Sequence, residues 1–188
     1  MNLERTTSRQ IILVTGAARS GKSEWAEMLA AQGSHRVIYI ATAQVEATDI
    51  EWQARIAKHR RRRPASWQTL QVPVELAATI EAANPSHCLL VDSLGTWVAN
   101  LLHQDDETWE KTTTNLLKIL QQTAVDVILV AEETGWGVVP AYETGRKFRD
   151  RLGYLIRQIG AIADLVYLIT GGYVLNLTHL GEPLGNSE

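Results

Sequence analysis

The stretch that most constrains this chain is Gly16-Ala17-Ala18-Arg19-Ser20-Gly21-Lys22-Ser23, which fits G-x-x-x-x-G-K-[ST]. An apolar run, Ile11-Ile12-Leu13-Val14, precedes it and reads as a buried strand. Glu24 to Ala31 follows it and is rich in helix formers. Strand, glycine loop and helix in that order make a phosphate cradle. Glycines let backbone N–H groups turn onto phosphate oxygens, and the helix N-terminus adds positive partial charge. Lys22 is then placed to reach the β- and γ-phosphates and Ser23 to ligate Mg2+. A nucleoside triphosphate is the first ligand this sequence implies.

The rest of the chain sets bounds on what is done to that ligand. Its 188 residues suffice for one domain with a full core. The expected division is a polar extension over 1–10, one nucleotide-binding domain over 11–180 and a tail over 181–188. A formal net charge of −3 argues against general nucleic-acid binding. The one cysteine, Cys88, excludes an internal disulfide framework and reads as a core residue. The polar N-terminus has no signal-peptide pattern, and no apolar run is long enough to span a bilayer. A cytoplasmic enzyme is expected.

Apolar runs alternate with helical patterns. Strands are expected at Val37–Ala41, Trp67–Gln71, Cys88–Asp92, Val125–Ala131 and Leu165–Ile169, with an edge strand at Tyr173–Leu177. Helices are expected over Asp49–Arg62, Val74–Ala83, Thr96–His103, Thr108–Thr123 and Glu143–Ala163. Strands apolar along their whole length are buried on both faces, which means a mostly parallel sheet between helical layers. Ligands in such folds bind at the carboxyl ends of strands. That rule points to the phosphate loop, Ala41-Thr42-Ala43, Asp92-Ser93 and Glu132-Glu133.

Asp92 closes an apolar strand, as a Walker-B acid does, and can hold Mg2+ directly or through water. The bland alternative is an N-cap of the next helix. Asp92-Ser93-Leu94-Gly95 also fits the D-x-x-G switch of GTPases, but no guanine-reading Asn-Lys-x-Asp follows. One of Glu132 and Glu133 could polarise a water or an acceptor hydroxyl; otherwise they are solvated loop acids. Trp97, Trp136 and Tyr142 could line an apolar pocket, though aromatic residues more often fill cores. Lys58-His59-Arg60-Arg61-Arg62-Arg63 is the unusual stretch. Its arginines can neutralise a polyphosphate with forked donors, or simply form a basic helix end. Among cations His59 has its protonated form disfavoured, leaving a neutral nitrogen able to attack phosphorus.

Taken together these stretches resemble the bifunctional adenosylcobinamide kinase/adenosylcobinamide-phosphate guanylyltransferase family of cobalamin biosynthesis. The similarity runs from Ile12 to about Leu177. It is carried by Ile12–Ser23, Tyr39–Ala43, Arg55-Ile56 with His59-Arg60, Arg63-Pro64 with Trp67, Leu90–Ser93, Glu133–Pro140 and Arg146–Asp150. The resemblance implies a three-layer P-loop fold like the RecA nucleotide-binding core, and a homotrimer. It implies phosphorylation of adenosylcobinamide by ATP or GTP. GMP transfer from GTP would follow, through a guanylyl-histidine on His59, to adenosylcobinamide-phosphate, giving adenosylcobinamide-GDP and pyrophosphate. Gly16 to Ser23, Ala41, Thr42, Ala43, Arg60, Arg61, Arg62, Arg63, Gln71 and Asp92 match nucleotide-contacting positions. Lys22 would offset charge, and Ser23 with Asp92 would hold Mg2+; no tightly bound organic cofactor is implied. Gln71 stands where the family commonly has Glu, and Ile156-Arg157 where it has Asn-Gln. Two rival readings use fewer of these residues. A simple P-loop kinase for a small hydroxylated substrate gives His59 no task, and a nucleotide-dependent switch would use Asp92 and Gly95 to sense the γ-phosphate.

Overall fold

The structure is a computed structural model and describes residues 9–44 and 63–184. Its strands are β1 (Ile11–Gly16), β2 (Arg36–Ala41), β3 (Gln68–Gln71), β4 (His87–Asp92), β5 (Asp126–Glu132), β6 (Leu165–Thr170) and β7 (Tyr173–Asn176). Its helices are α1 (Lys22–Gln32), α2 (Leu76–Glu81), α3 (Leu94–Asn100), α4 (Asp106–Gln122), α5 (Glu143–Ile162) and the single turn α6 (Leu177–Leu180). The strands form one sheet in the order β3-β2-β4-β5-β1-β6-β7. All neighbours run parallel except β6 and β7, which are antiparallel.

The period of two along each strand sorts side chains onto two faces. Ile12, Val14, Leu90, Ile128 and Val130 pack on Ala26 and Ala30 of α1. Ile11, Leu13, Val91, Val127 and Leu129 lie in the cluster built with α2, α3, α4 and α5, where Leu76, Trp97, Leu116 and Leu155 fill the layer. The result is the expected three-layer α/β P-loop arrangement, and the antiparallel edge strand near the C-terminus is present. Cys88 is a buried core residue on the α1 face, and burial pushes its thiol up to about 12.

Element boundaries moved for identifiable reasons. β1 runs two residues past its apolar run because Thr15 and Gly16 still pair with β5 and β6. The helix expected from Thr96 starts at Leu94, because the Ser93 side chain and Thr96 form a reciprocal capping box. Asp92 is therefore not the cap of that helix. Asp105, in the acidic turn, caps α4 by accepting from the Thr108 N–H at 2.8 Å. The strand expected through Leu177 stops at Asn176, whose side chain accepts from the His179 N–H and starts α6, a turn the sequence did not announce. The helix expected over Asp49–Arg62 lies outside the described residues.

Candidate active site: a phosphate loop with two acids on its face

The phosphate loop leaves the central strand β1 and enters α1 with unusual backbone angles at two places. Arg19 has φ 61° and Gly21, the N-cap of α1, has φ 97°. The second is why a glycine must stand there. Gly16 meets a different constraint. A Cβ on it would come within 2.5 Å of the Ile169 carbonyl oxygen and 2.7 Å of Ser20 Oγ. Glycine lets the loop turn tightly against β6.

Ala17, Ala18 and Arg19 are exposed, while Ser20, Gly21 and Ser23 are partly buried. Lys22 is buried, with its ammonium donating to the Ala17 carbonyl at 3.4 Å across the loop. The Ser20 hydroxyl is buried without a protein hydrogen-bond partner. Such a group calls for a ligand or water.

β5 lies between β1 and β4, so its carboxyl end sits between the loop and Asp92. Alternation separates its two terminal acids. Glu132 falls on the even-numbered, α1-facing side with Leu90, Asp92 and Val130, and Glu133 falls on the other. Glu132 Oε1 is 4.0 Å from Lys22 Nζ, and Oε2 accepts the Gly95 N–H at 3.0 Å. Burial holds the Glu132 carboxyl above the ordinary carboxylate range. Lys22, a Ser93 hydrogen bond and the Gly95 N–H pull it down, and Asp92 pushes it further up. A Cβ on Gly95 would lie 2.0 Å from Glu132 Oε2, so glycine at 95 makes room for that carboxylate. The Gly95 N–H, the group a D-x-x-G switch would turn to a γ-phosphate, is engaged by Glu132. Glu133 accepts from the Thr15 hydroxyl at 2.5 Å and donates its N–H to the Gly16 carbonyl at 3.0 Å, tying the loop's origin to β5.

Asp92 ends β4 on the α1 face. Its Oδ2 accepts from the Tyr39 hydroxyl of β2 at 2.8 Å. The Arg63 guanidinium lies over that tyrosine ring, 3.6 Å from its centroid. Arg63 thus sits beside the site, on the side away from the loop. Ala41 ends β2 in register with Asp92 and with the exposed Gln71, which brings all three to one edge. Thr42 is fully buried. Its hydroxyl donates to the Ser93 carbonyl at 2.6 Å and lies against Thr96 Oγ1, so it fastens β2 to the start of α3. Ala43 is half-buried just beyond. His59, Arg60, Arg61 and Arg62 lie outside the described residues.

The Ser23 hydroxyl and Asp92 carboxylate are hard oxygen donors of the kind Mg2+ takes. Among the described residues no group of three His, Cys, Asp or Glu side chains could hold a metal by itself. An ion held by these two residues would have to draw its remaining ligands from phosphate and water.

Sequence reasoning missed Tyr39 and Thr15, because their partners are 53 and 118 residues away. It also grouped three aromatics that the fold separates. Trp97 is core, with its indole N–H donating to the Val74 carbonyl, whereas Trp136 and Tyr142 are exposed in the loop after β5. The Arg146 guanidinium donates to the Pro140 and Ala141 carbonyls and clamps the end of that loop.

The sequence matches the profile of the family described as cobinamide kinase / cobinamide phosphate guanyltransferase over residues 12–177. It is 45% identical over 174 residues to the bifunctional adenosylcobalamin biosynthesis protein CobP of Pseudomonas aeruginosa, covering 92% of this chain and 98% of that one. It is 37% identical over 177 residues to the bifunctional adenosylcobalamin biosynthesis protein CobU of Escherichia coli, covering 86% and 96% of the two chains. A solved structure of a Pyrococcus horikoshii OT3 protein, described only as a structural study, shares the fold with TM-score 0.58 at 8% identity over 95% of each chain. The chain belongs to the cobinamide kinase / cobinamide phosphate guanyltransferase family.

Proposed function

We propose that this protein phosphorylates adenosylcobinamide with ATP or GTP and then guanylylates the product with GTP. The observation that carries the reading is the Gly16–Ser23 loop, with buried Lys22 under it and Asp92 on the same face of the sheet, in a chain of this family. In the first reaction the hydroxyl of the aminopropanol arm attacks the γ-phosphorus and the nucleoside diphosphate leaves. In the second, a neutral His59 nitrogen attacks the α-phosphorus of GTP. A P–N bond forms, the bond to the β-phosphate oxygen breaks, and pyrophosphate leaves. A phosphate oxygen of adenosylcobinamide-phosphate then attacks the same phosphorus, the P–N bond breaks, and adenosylcobinamide-GDP is released. Two transfers through a covalent intermediate replace one difficult step.

Lys22 and the loop N–H groups would bind the phosphates, and Ser23 and Asp92 would hold Mg2+. When bound, that ion would supply positive charge against the phosphates. Ala41, Thr42, Ala43, Gln71 and the arginines at 60–63 belong to the nucleotide-binding edge, and family resemblance gives the working unit as a homotrimer. Among the described residues no helix is long and apolar enough to cross a membrane.

GTP labelled at the α-phosphate tests this. After incubation and denaturation the polypeptide should carry an acid-labile, base-stable label. The label should vanish in His59→Ala and leave as nucleotide product when adenosylcobinamide-phosphate is added. A wild-type protein that takes up no label would overturn the reading in favour of a simple kinase or a switch.

A further inference from the structure

The Asp92 carboxylate reaches the phosphate face from the end of a strand, with no helix turn to fix its rotation. A carboxylate that ligates a metal must present one oxygen in one direction. Among the described residues the side-chain hydrogen bond that fixes it comes from Tyr39, at 2.8 Å on Oδ2. Tyr39 sits on β2, one strand away from the reacting face. Its ring packs into the α1-side core with Leu90 and Ala26. The Arg63 guanidinium covers the ring from the other side at 3.6 Å.

We propose that Tyr39 is a positioning residue for metal binding. Its hydroxyl fixes the rotation of Asp92, leaving Oδ1 for the Mg2+ that accompanies the triphosphate, and Arg63 holds the ring in place. This rests on the metal role given to Asp92 in the proposed function. The hydrogen bond engages Oδ2 from the β2 side, and Oδ1 is the oxygen assigned to the ion. Arg63 is the last residue of the basic segment, so its stack on the Tyr39 ring joins that segment's end to the Asp92 partner.

Outer partners of metal ligands are commonly worth 10–100-fold in metal affinity. Tyr39→Phe removes the hydroxyl and keeps the ring, its core contacts and the Arg63 stack. The probe is Mn2+, titrated into the full chain with a GTP analogue whose α,β-bridging oxygen is a methylene group. Free Mn2+ is read by electron paramagnetic resonance. Binding of a fluorescent GTP analogue in EDTA reports the metal-free cradle. We expect Tyr39→Phe to weaken Mn2+ binding about tenfold while leaving binding in EDTA at the wild-type value. Arg63→Met should weaken Mn2+ binding by a smaller factor. Unchanged Mn2+ affinity in Tyr39→Phe overturns the proposal. An equal loss with and without metal also overturns it, since that is what general loosening of the site produces. Asp92→Asn separates the two levels of the argument. If it leaves Mn2+ binding intact, the metal role of Asp92 fails. If it abolishes binding and Tyr39→Phe does nothing, only the positioning role fails.

Discussion

Glu132 puts a carboxylate where an anionic ligand has to come. Its partner Lys22 is the side chain that must turn to the phosphates, and Oε1 lies 4.0 Å from that ammonium. A triphosphate therefore competes with Glu132 for one cation and is repelled by the same group. Burial first, then Asp92, favour its protonated form, so the acid's folded value lies above the ordinary 4.5. The neutral form contributes stability at acid pH, and that contribution is lost as pH rises from 4.5 through the raised value. Binding has the same sign, because a bound polyphosphate further favours the protonated acid. Glu132→Gln should tighten nucleotide binding about tenfold at pH 8, roughly 1.4 kcal/mol, and by less as pH falls through the raised value and the wild-type acid becomes protonated. Titration of a fluorescent GTP analogue across that range checks it. A wild-type to variant ratio that stays constant with pH would refute the charge argument.

The two glycines that shape this face are constrained by different neighbours, so the same substitution has different consequences. At Gly16 an added Cβ meets the Ile169 carbonyl at 2.5 Å, and that backbone is held in the β1–β6 ladder. Gly16→Ala should cost about 1–3 kcal/mol of stability and abolish nucleotide binding, since β6 or the loop has to shift. At Gly95 the three atoms nearest an added Cβ all belong to the Glu132 side chain, whose carboxylate is the flexible end. Gly95→Ala should leave the melting temperature near the wild-type value, helped by better helix propensity, and displace Glu132 from Lys22. Its effect on affinity should then resemble that of Glu132→Gln, and the two should not add. Thermal melts and nucleotide titrations of the two single variants and the Gly95→Ala/Glu132→Gln double variant check this.

The loop, its strand and its helix were legible because P-loop chemistry is local: Gly16 to Ser23 carry it within eight residues. Strand order and the polar network were not, because they depend on pairing between distant segments. Glu132 and Glu133 are adjacent in sequence yet face opposite sides of the sheet, and Tyr39 looks like any strand tyrosine until β2 pairs with β4. Thr42 was read for its place at a strand end, where the fold turns its hydroxyl inward to Ser93 and Thr96.

The interior strands β2, β4, β5 and β1 are buried along most of their length, whereas β6 is only partly buried along most of its length. Beyond it Tyr173 on β7 and Leu180 on α6 stand 76% and 69% exposed, with Leu184 following. A crevice of about 690 Å³ of mixed polar and apolar lining lies between the ends of α4 and α5 and residues 177–184 and reaches Tyr154. It lies at the amino ends of the strands, away from the phosphate loop. Apolar side chains grouped at a sheet edge mark a surface that association covers, and a short exposed edge strand is best protected by a partner. If the homotrimer implied by the family resemblance forms through this surface, light scattering on the full chain should give about three times 20.9 kDa. Tyr173→Glu combined with Leu180→Glu should lower that mass to one chain while the circular dichroism stays native, because neither side chain belongs to the core. A wild-type chain that runs as a monomer would refute the trimer. A double variant that keeps the full mass would move the interface elsewhere. If the monomeric variant still bound nucleotide but lost α-phosphate labelling, transfer to His59 would need the assembled form.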